Sequence, residues 1–192
     1  MLGRQDLMTL EAYARVRDDY RRSARQHRRA RQIALGDHVT LHFEDLDTVR
    51  YQIQEMLHIE RTFEESGIQD ELEAYVPLIP TGTNFKATMM IEYPTAPIRH
   101  ERLQALTGIE HRVYVQVEGS ARQYAEADED LERATVNKTS AVHFLRFELS
   151  QEDRKKLQAG ASLAIGVDHA EYTAHISEVS DELHSELIKD LG

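Results

Sequence analysis

The chain has 192 residues, of which 41% are hydrophobic and 30% charged, with 9 Gly and 4 Pro. This composition excludes a collagen-like, low-complexity or mostly disordered chain and predicts a single globular domain over 1–192. Cysteine is absent, which excludes disulfides, a cysteine nucleophile and an Fe–S cluster held by the chain's own thiolates.

Charge and hydropathy narrow the class of partner. The formal net charge is −11, which makes nucleic acid an unfavourable partner because phosphate contacts need a basic surface. No segment approaches the roughly 20 apolar residues of a membrane span, and the N-terminus lacks the apolar core of a signal peptide. We therefore expect a cytoplasmic protein without membrane insertion.

The N-terminal region departs from this acidic average. Residues 1–31 hold nine Arg and four acidic residues, a net charge of +5 that leaves −16 for the other 161 residues. Thr9 is a suitable N-cap, and Ala and Arg favour helix, so the sequence predicts a helix that continues to Ile33. We expect this basic N-terminal part, 1–35, to pack on an α+β body formed by 36–192.

Two interpretations of the basic helix remain open. In the first, the helix docks onto its own domain or onto a second copy of the chain, as in a homodimer. In the second, Arg21, Arg25 and Arg28 bind an anion or an acidic partner, because a guanidinium group recognises phosphate and carboxylate with several donors. The apolar stripe of the helix is thin and lacks the Leu, Phe or Trp content of a lipid anchor, which favours a protein surface as its partner.

A strand and a second helix follow. Alternation of apolar and polar residues over 38–44 predicts the strand, and apolar residues at helical spacing predict a helix over 48–65. The apolar stripe of this helix consists of Val49, Ile53, Met56, Ile59 and Phe63. Glu60 falls within the stripe, where a carboxylate is either paired with a basic neighbour or chemically active. One Glu-x-x-His occurs, at 55–58, whereas a di-iron bundle needs two copies.

The remaining elements are short and mostly β. Strands are predicted over 85–93, 140–149, 161–167 and 171–177, a hairpin over 113–125, and helices over 69–75, 99–106, 128–133, 151–158 and 181–191. About seven strands joined by brief connections predict an α+β fold with a mostly antiparallel sheet or an open barrel. The dinucleotide-binding Gly-x-Gly-x-x-Gly, the Gly-x-Ser-x-Gly elbow and the zinc-binding His-Glu-x-x-His are absent.

Histidines and carboxylates are the candidate metal ligands. Alternation places His143 on the apolar face of its strand, where a histidine is either a hydrogen-bonded core residue or a metal ligand or acid/base group. Asp168 and His169 adjoin at the end of another strand, and a carboxylate beside an imidazole tunes its proton affinity or shares a metal. With Glu60 they form the candidate set for Fe, Mn or Zn. Arg146, opposite His143, is a candidate for a salt bridge or for anion binding.

Four segments together resemble a known bacterial family. They are 48–57, the Pro80-Thr81-Gly82-Thr83-Asn84 loop, 138–149 and 166–169. Over nearly its whole length the chain resembles the domain-of-unknown-function 3501 family, and the segment around His143 is fairly specific to it. The family has no established activity, so the resemblance implies no catalytic residues. Its genes often lie beside genes for rubrerythrin, a di-iron peroxide-reducing protein, and for a cysteine-rich Fe–S protein of the heterodisulfide reductase type, which implies a role in redox or peroxide stress.

Two functional hypotheses follow. The first is a non-catalytic accessory or binding protein for a redox partner, a di-iron or Fe–S protein. The second is a metal-binding protein or metal-dependent enzyme that uses the histidines and carboxylates above, so enzymatic activity is an open question. We favour the first, because the charge is segregated and the chain has no redox-active residue of its own.

Overall fold

The structure is a computed structural model that describes residues 2–129, 133–135 and 138–192. Its helices are α1 (Leu10–Ala30), α2 (Leu46–Glu60), α3 (Glu65–Tyr75), α4 (Ala96–Ala105), α5 (Gln151–Gln158) and α6 (Asp181–Ile188). Its strands are β1 (Gln32–Leu35), β2 (Val39–Phe43), β3 (Asn84–Ile91), β4 (Val113–Val117), β5 (Gln123–Tyr124), β6 (Glu126–Ala127), β7 (Val142–Glu148), β8 (Leu163–His169) and β9 (Tyr172–Ile176). The α+β class predicted from the sequence is confirmed.

The strands form two antiparallel sheets that together make an open barrel. One sheet has the order β1-β2-β3-β7-β6, and the other has the order β5-β4-β8-β9. The segment 123–127 passes from the second sheet into the first, and Ala125 is buried at the corner. At the opposite seam, the Tyr172 hydroxyl donates to the Leu35 carbonyl (2.5 Å) and accepts from the His38 amide (3.1 Å). A single side chain thus bridges β9 and β1.

The main apolar core lies between the two sheets. Inward residues of β2, β3 and β7 meet those of β4 and β8, and leucines of α4, α5 and α6 close the core. Each fully buried side chain of this kind contributes ~1.5–3 kcal/mol. A second apolar cluster lies around α2 and α3 and comprises Leu2, Leu7, Val49, Ile53, Leu57, Ile68 and Leu72. The helices α1 to α3 therefore form a separate layer beside the barrel.

The N-terminal helix begins as predicted and ends earlier. Thr9 Oγ1 accepts a hydrogen bond from the Ala12 amide and caps α1. The sequence predicts that the helix continues to Ile33, but β1 replaces its last turn. Leu35 of β1 is buried in the core, and Gly36, with φ of 70°, permits the tight turn into β2. The first strand of the barrel thus belongs to the part of the chain that the sequence assigns to the basic helix.

The second helix is also shorter than predicted. Arg61 adopts a left-handed conformation, with φ of 57°, and ends α2. The apolar residues that α2 buries are Val49, Ile53 and Leu57. Ile59 and Phe63, which the predicted stripe places inside, are 63% and 75% exposed. The next helix begins at Glu65 rather than at 69, because the chain turns at Arg61 and starts a new helix at once.

Two further predictions from the sequence concern a short helix over 128–133 and the absence of a membrane-spanning helix. Residues 130–132 of the helix predicted over 128–133 lie outside the described residues, and Asp128, Glu129 and Arg133 are not helical. Among the residues that the structure describes, no helix is both long enough and apolar enough to cross a membrane.

Candidate functional site

The interface between α1 and α2 is polar and aromatic. The helices run antiparallel: Tyr13, near the start of α1, packs edge-on against His58 near the end of α2, with ring centroids 5.6 Å apart. At the other end, His27 of α1 lies 2.6 Å from Asp45, the N-cap of α2. Tyr13 is the one fully buried residue of α1, so polar contacts rather than an apolar stripe hold this helix.

Glu55 of α2 is the centre of these contacts. Arg17 donates to Glu55 from Nε (2.8 Å) and from Nη2 (2.9 Å), and the Tyr13 hydroxyl donates at 2.5 Å. The hydrogen bond from Arg17 is the largest cause that lowers the pKa of Glu55, to about 2, and it outweighs burial. Burial and the bond to Glu55 raise the pKa of Tyr13. At neutral pH the carboxylate is therefore charged and the phenol protonated.

The outward side of α1 carries a row of arginines, Arg15, Arg22, Arg25 and Arg29, which we call the arginine face. All four are exposed. Arg22 pairs with Asp19 at 2.9 Å, and the other three make no side-chain hydrogen bond or ion pair with any residue that the structure describes. Of the predicted anion-binding residues, Arg25 belongs to this face, whereas Arg21 is half-buried with an unpartnered Nε. The face therefore carries positive charge that its own chain leaves largely uncompensated.

A pocket of about 220 Å³ lies between α1 and α2. Its lining residues are Tyr20, Ser23, Ala24, His27 and Arg28 from α1 and Asp47, Thr48, Arg50, Tyr51 and Gln52 from α2. The rings of Tyr20 and Tyr51 are 5.9 Å apart. Arg28 is thus the predicted anion-binding residue that the fold brings into this pocket. Sequence reasoning identified the arginine but missed the two tyrosines as pocket residues, because the packing of α1 against α2 that brings them together is not visible in the sequence.

Arg31, the C-cap of α1, is a buried cation that the sequence pattern does not single out. Its side chain is 1% exposed; it pairs with Asp190 and lies 3.5 Å from Asp45. It also donates to the carbonyls of Phe43 and Glu44, both at 3.2 Å. Burial raises the pKa of Asp190 to about 6, although the charge of Arg31 acts in the opposite direction. Arg31 therefore fixes the end of α1 to β2 and to the C-terminal segment.

His143 lies on the core side of β7 and is fully buried. Its Nδ1 contacts Asp128 Oδ2 at 2.5 Å, and its Nε2 faces the Ser140 carbonyl (3.1 Å) and the Thr139 hydroxyl (2.8 Å). The Thr139 hydroxyl in turn donates to Glu110 Oε2 at 2.8 Å. Both ring nitrogens thus have hydrogen-bond partners within the chain, which is the hydrogen-bonded core arrangement. Alternation located the histidine but could not locate its partners, which come from separate loops.

The other candidate metal ligands have different partners. Asp168 accepts hydrogen bonds from Arg122 (2.8 Å) and Tyr124 (2.5 Å), whereas His169 bonds a backbone carbonyl at 3.1 Å. Glu60, the last residue of α2, is exposed. In the described part of the chain, no group of three His, Asp or Glu side chains is arranged to hold a metal ion. Metal ligation by the predicted set stays a prediction.

Arg146 lies among acidic side chains on the outer face of β7. It contacts Glu129 at 2.8 Å and Glu148 at 2.6 Å, and it also pairs with Glu126. These contacts, with the hydrogen bond to Glu129 first among them, raise the pKa of Arg146. Of the two roles that the sequence allows, the structure places Arg146 in salt bridges, so its charge is compensated within the chain.

The fold and these contacts define a small α+β protein, an open barrel that carries a basic helix on its outside. A sequence profile of DUF3501, described as a protein of unknown function, matches residues 1–191, and the chain belongs to this family. It is also similar to a novel protein of unknown function from Burkholderia pseudomallei, known from a crystal structure at 1.90 Å resolution. The identity is 50%, the TM-score is 0.95, and the match covers 100% of this chain and 99% of that chain. No curated protein matches the chain.

Proposed function

We propose that this chain is a non-catalytic accessory protein that binds an acidic redox protein through the arginine face. The observation that carries the proposal is the charge of that face: three of its four exposed arginines have no partner in the described chain. Exposed guanidinium groups bind carboxylates with paired donors and accelerate encounter with an acidic surface. An acidic protein is therefore the partner that complements this helix.

The resembling family supplies the class of partner. The resemblance implies that its genes often lie beside those of rubrerythrin and of a cysteine-rich Fe–S protein, and we therefore assign the partner to the di-iron or Fe–S redox proteins. The accessory role is consistent with the arrangement of the polar side chains. His143, Arg146 and Asp168 each have partners within the chain, which favours structural roles for them, whereas the arginine face is turned outward.

The way that α1 is attached supports a rigid recognition surface. Arg17 holds its first half to α2 through Glu55, and Arg31 anchors its end to the barrel. The outward arginines therefore project from a helix that is fixed before the partner binds, so binding does not have to order this segment and loses less conformational entropy.

The test is the affinity of the purified chain for the purified rubrerythrin-class and Fe–S proteins. Arg25→Glu/Arg29→Glu reverses two charges of the arginine face and is expected to weaken the complex by about tenfold or more. The matched control is Arg112→Glu/Lys155→Glu, which reverses two exposed charges elsewhere on the barrel. Equal affinities of the two double variants for the partner would contradict the proposal.

A further inference from the structure

The pocket between α1 and α2 is a gap in an otherwise closely tied helix pair. On one side of it His27 contacts Asp45, and on the other Arg17 contacts Glu55. Between these two ties α1 carries small side chains, Ser23 and Ala24, at the pocket wall. The pocket therefore lies where α1 presents small side chains between the two contacts.

Two cationic side chains in the pocket wall have unused hydrogen-bond donors. Arg28 is half-buried and makes no side-chain hydrogen bond or ion pair with a described residue. Arg50 contacts Asp47 through Nη2 at 2.5 Å, but its Nε is buried and has no partner. Leaving a guanidinium donor out of water without an acceptor is costly, as for the buried Nε of Arg50. The Arg28 guanidinium is only half-buried, and its donors are available to an acceptor in the pocket.

The acidic groups at the pocket are already engaged. Asp47 is paired with Arg50, and Asp45 with His27. Glu44 is buried behind the wall and accepts hydrogen bonds from Thr48 (2.6 Å), Gln52 (2.8 Å) and Thr88 (2.6 Å). The positive charge that remains without a partner is that of Arg28.

We infer that this pocket binds a small oxyanion, the phosphate or carboxylate group of a small molecule, with Arg28 as its charge partner and the Arg50 guanidinium beside it. Guanidinium groups recognise both oxyanions through several planar donors. The volume of about 220 Å³ lies below the ~300–1,000 Å³ of pockets that hold drug-sized ligands. The rings of Tyr20 and Tyr51 supply an apolar wall for the rest of a small molecule. The arginine face is not part of this site, so the inference stands apart from the proposed function.

The test is a titration of the purified chain with sodium phosphate and, separately, with sodium acetate. Nitrogen-15 NMR follows the arginine Nε–H signals, and sodium chloride at matched ionic strength gives the reference. We expect saturable shifts of the Arg28 and Arg50 signals with at least one of the two anions. Arg28→Gln is expected to weaken binding, read from the Arg50 signal, by about tenfold or more, whereas the outward-facing control Arg25→Gln keeps the wild-type response.

Two results would overturn the inference. In the first, neither phosphate nor acetate shifts these signals beyond the chloride reference. In the second, Arg28→Gln keeps the response while Arg25→Gln loses it, which would place the anion on the arginine face. Thermal melting of each variant shows whether it is folded. If Arg28→Gln unfolds, Arg28→Lys replaces it, because the charge is kept while the paired donors are lost, and unchanged affinity in that variant would also count against the site.

Discussion

Arg17 and Glu55 form two parallel hydrogen bonds that join α1 to α2, Nε to Oε1 at 2.8 Å and Nη2 to Oε2 at 2.9 Å. A bidentate pair of this kind fixes both distance and orientation. Since Tyr13 is the one fully buried residue of α1, this pair carries much of the attachment of the basic helix. The helix that presents the arginine face is thus held by charge, and its attachment depends on pH.

Glu55→Gln tests that attachment. The pKa of Glu55 is about 2 in the folded chain, chiefly because of Arg17, against 4.5 for the ordinary group. A carboxyl group whose pKa is lower in the folded than in the unfolded chain stabilises the fold when it is ionised. This stability is present above about pH 4.5 and is lost as the pH falls towards 2. We expect the substitution to lower the free energy of unfolding by roughly 1–3 kcal/mol at pH 7, after allowance for solvent screening, and by much less near pH 2.

Urea unfolding at the two pH values measures this difference. The matched control is Glu11→Gln, because Glu11 lies on the same helix, is exposed and makes no side-chain hydrogen bond or ion pair with a described residue. If Glu55→Gln lowers the free energy of unfolding by the same amount at both pH values, the stabilisation by Glu55 does not come from its ionised pair with Arg17.

Arg31→Met tests the buried anchor at the end of α1. The substitution keeps much of the side-chain volume but leaves Asp190 and three backbone carbonyls without this donor. Removing one partner of a buried ion pair costs about 3–5 kcal/mol, and we expect a loss of that size in denaturant unfolding. A change below about 1 kcal/mol would mean that the cluster relaxes around an apolar residue.

His143→Leu separates the core role of His143 from the metal hypothesis. In the core role, the substitution leaves the buried Asp128 and Thr139 side chains without their partner on the ring and costs about 1–3 kcal/mol. Elemental analysis of wild-type protein purified without chelator or polyhistidine tag is then expected to show no stoichiometric metal that His143 holds. A metal present at about one per chain in the wild type and lost in a folded His143→Leu variant would instead assign His143 as a ligand.

Arg28→Gln is expected to change the titration of His42. Burial is the larger cause and the charge of Arg28 the smaller cause that lower the pKa of His42 to about 4. Removing the charge should raise that pKa by less than about one unit, because burial remains. A histidine whose pKa is lowered by folding contributes stability that is present above about pH 6.5 and is lost as the pH falls through 4. The loss should therefore begin near pH 6.5 in both proteins, but it should be smaller and end at slightly higher pH in the variant. An NMR titration of the His42 ring proton measures the shift, and an unchanged or lower pKa would rule out Arg28 as a neighbouring charge.

Local signals predicted much of the fold. Thr9 and Ser150 cap α1 and α5 as their residue types indicate, and each accepts from an amide in the first turn. Alternation over β7 correctly placed His143 on the buried side with Leu145 and Phe147. These features depend on residues close together in the chain, and their periodicity is therefore visible without the fold.

Contacts between distant segments account for what the sequence did not show. The sequence of β1 predicts the last turn of the basic helix. In the structure this segment is a strand, because it pairs with β2 and its Leu35 is buried in the core. In the sequence, Arg31 is one of several arginines that are expected at the surface. In the structure it is buried, because it pairs with Asp190 near the other end of the chain. The prediction that the apolar stripe of the second helix is buried was wrong at its end, because α2 ends at Arg61 and Phe63 is exposed. The candidate sites depend most on such contacts, and sequence reasoning therefore found single residues of them but not their partners.

Binding of an acidic redox protein by the arginine face should depend strongly on salt. Isothermal titration of the wild-type chain with purified rubrerythrin-class protein, and separately with the Fe–S protein, at 50 and 300 mM sodium chloride measures this binding. We predict a saturable complex with one of them at the lower salt concentration and an affinity weaker by about tenfold or more at the higher one, because exposed charge pairs are screened. Absence of binding to either protein at 50 mM salt, or an affinity that does not change with salt, would contradict the claim.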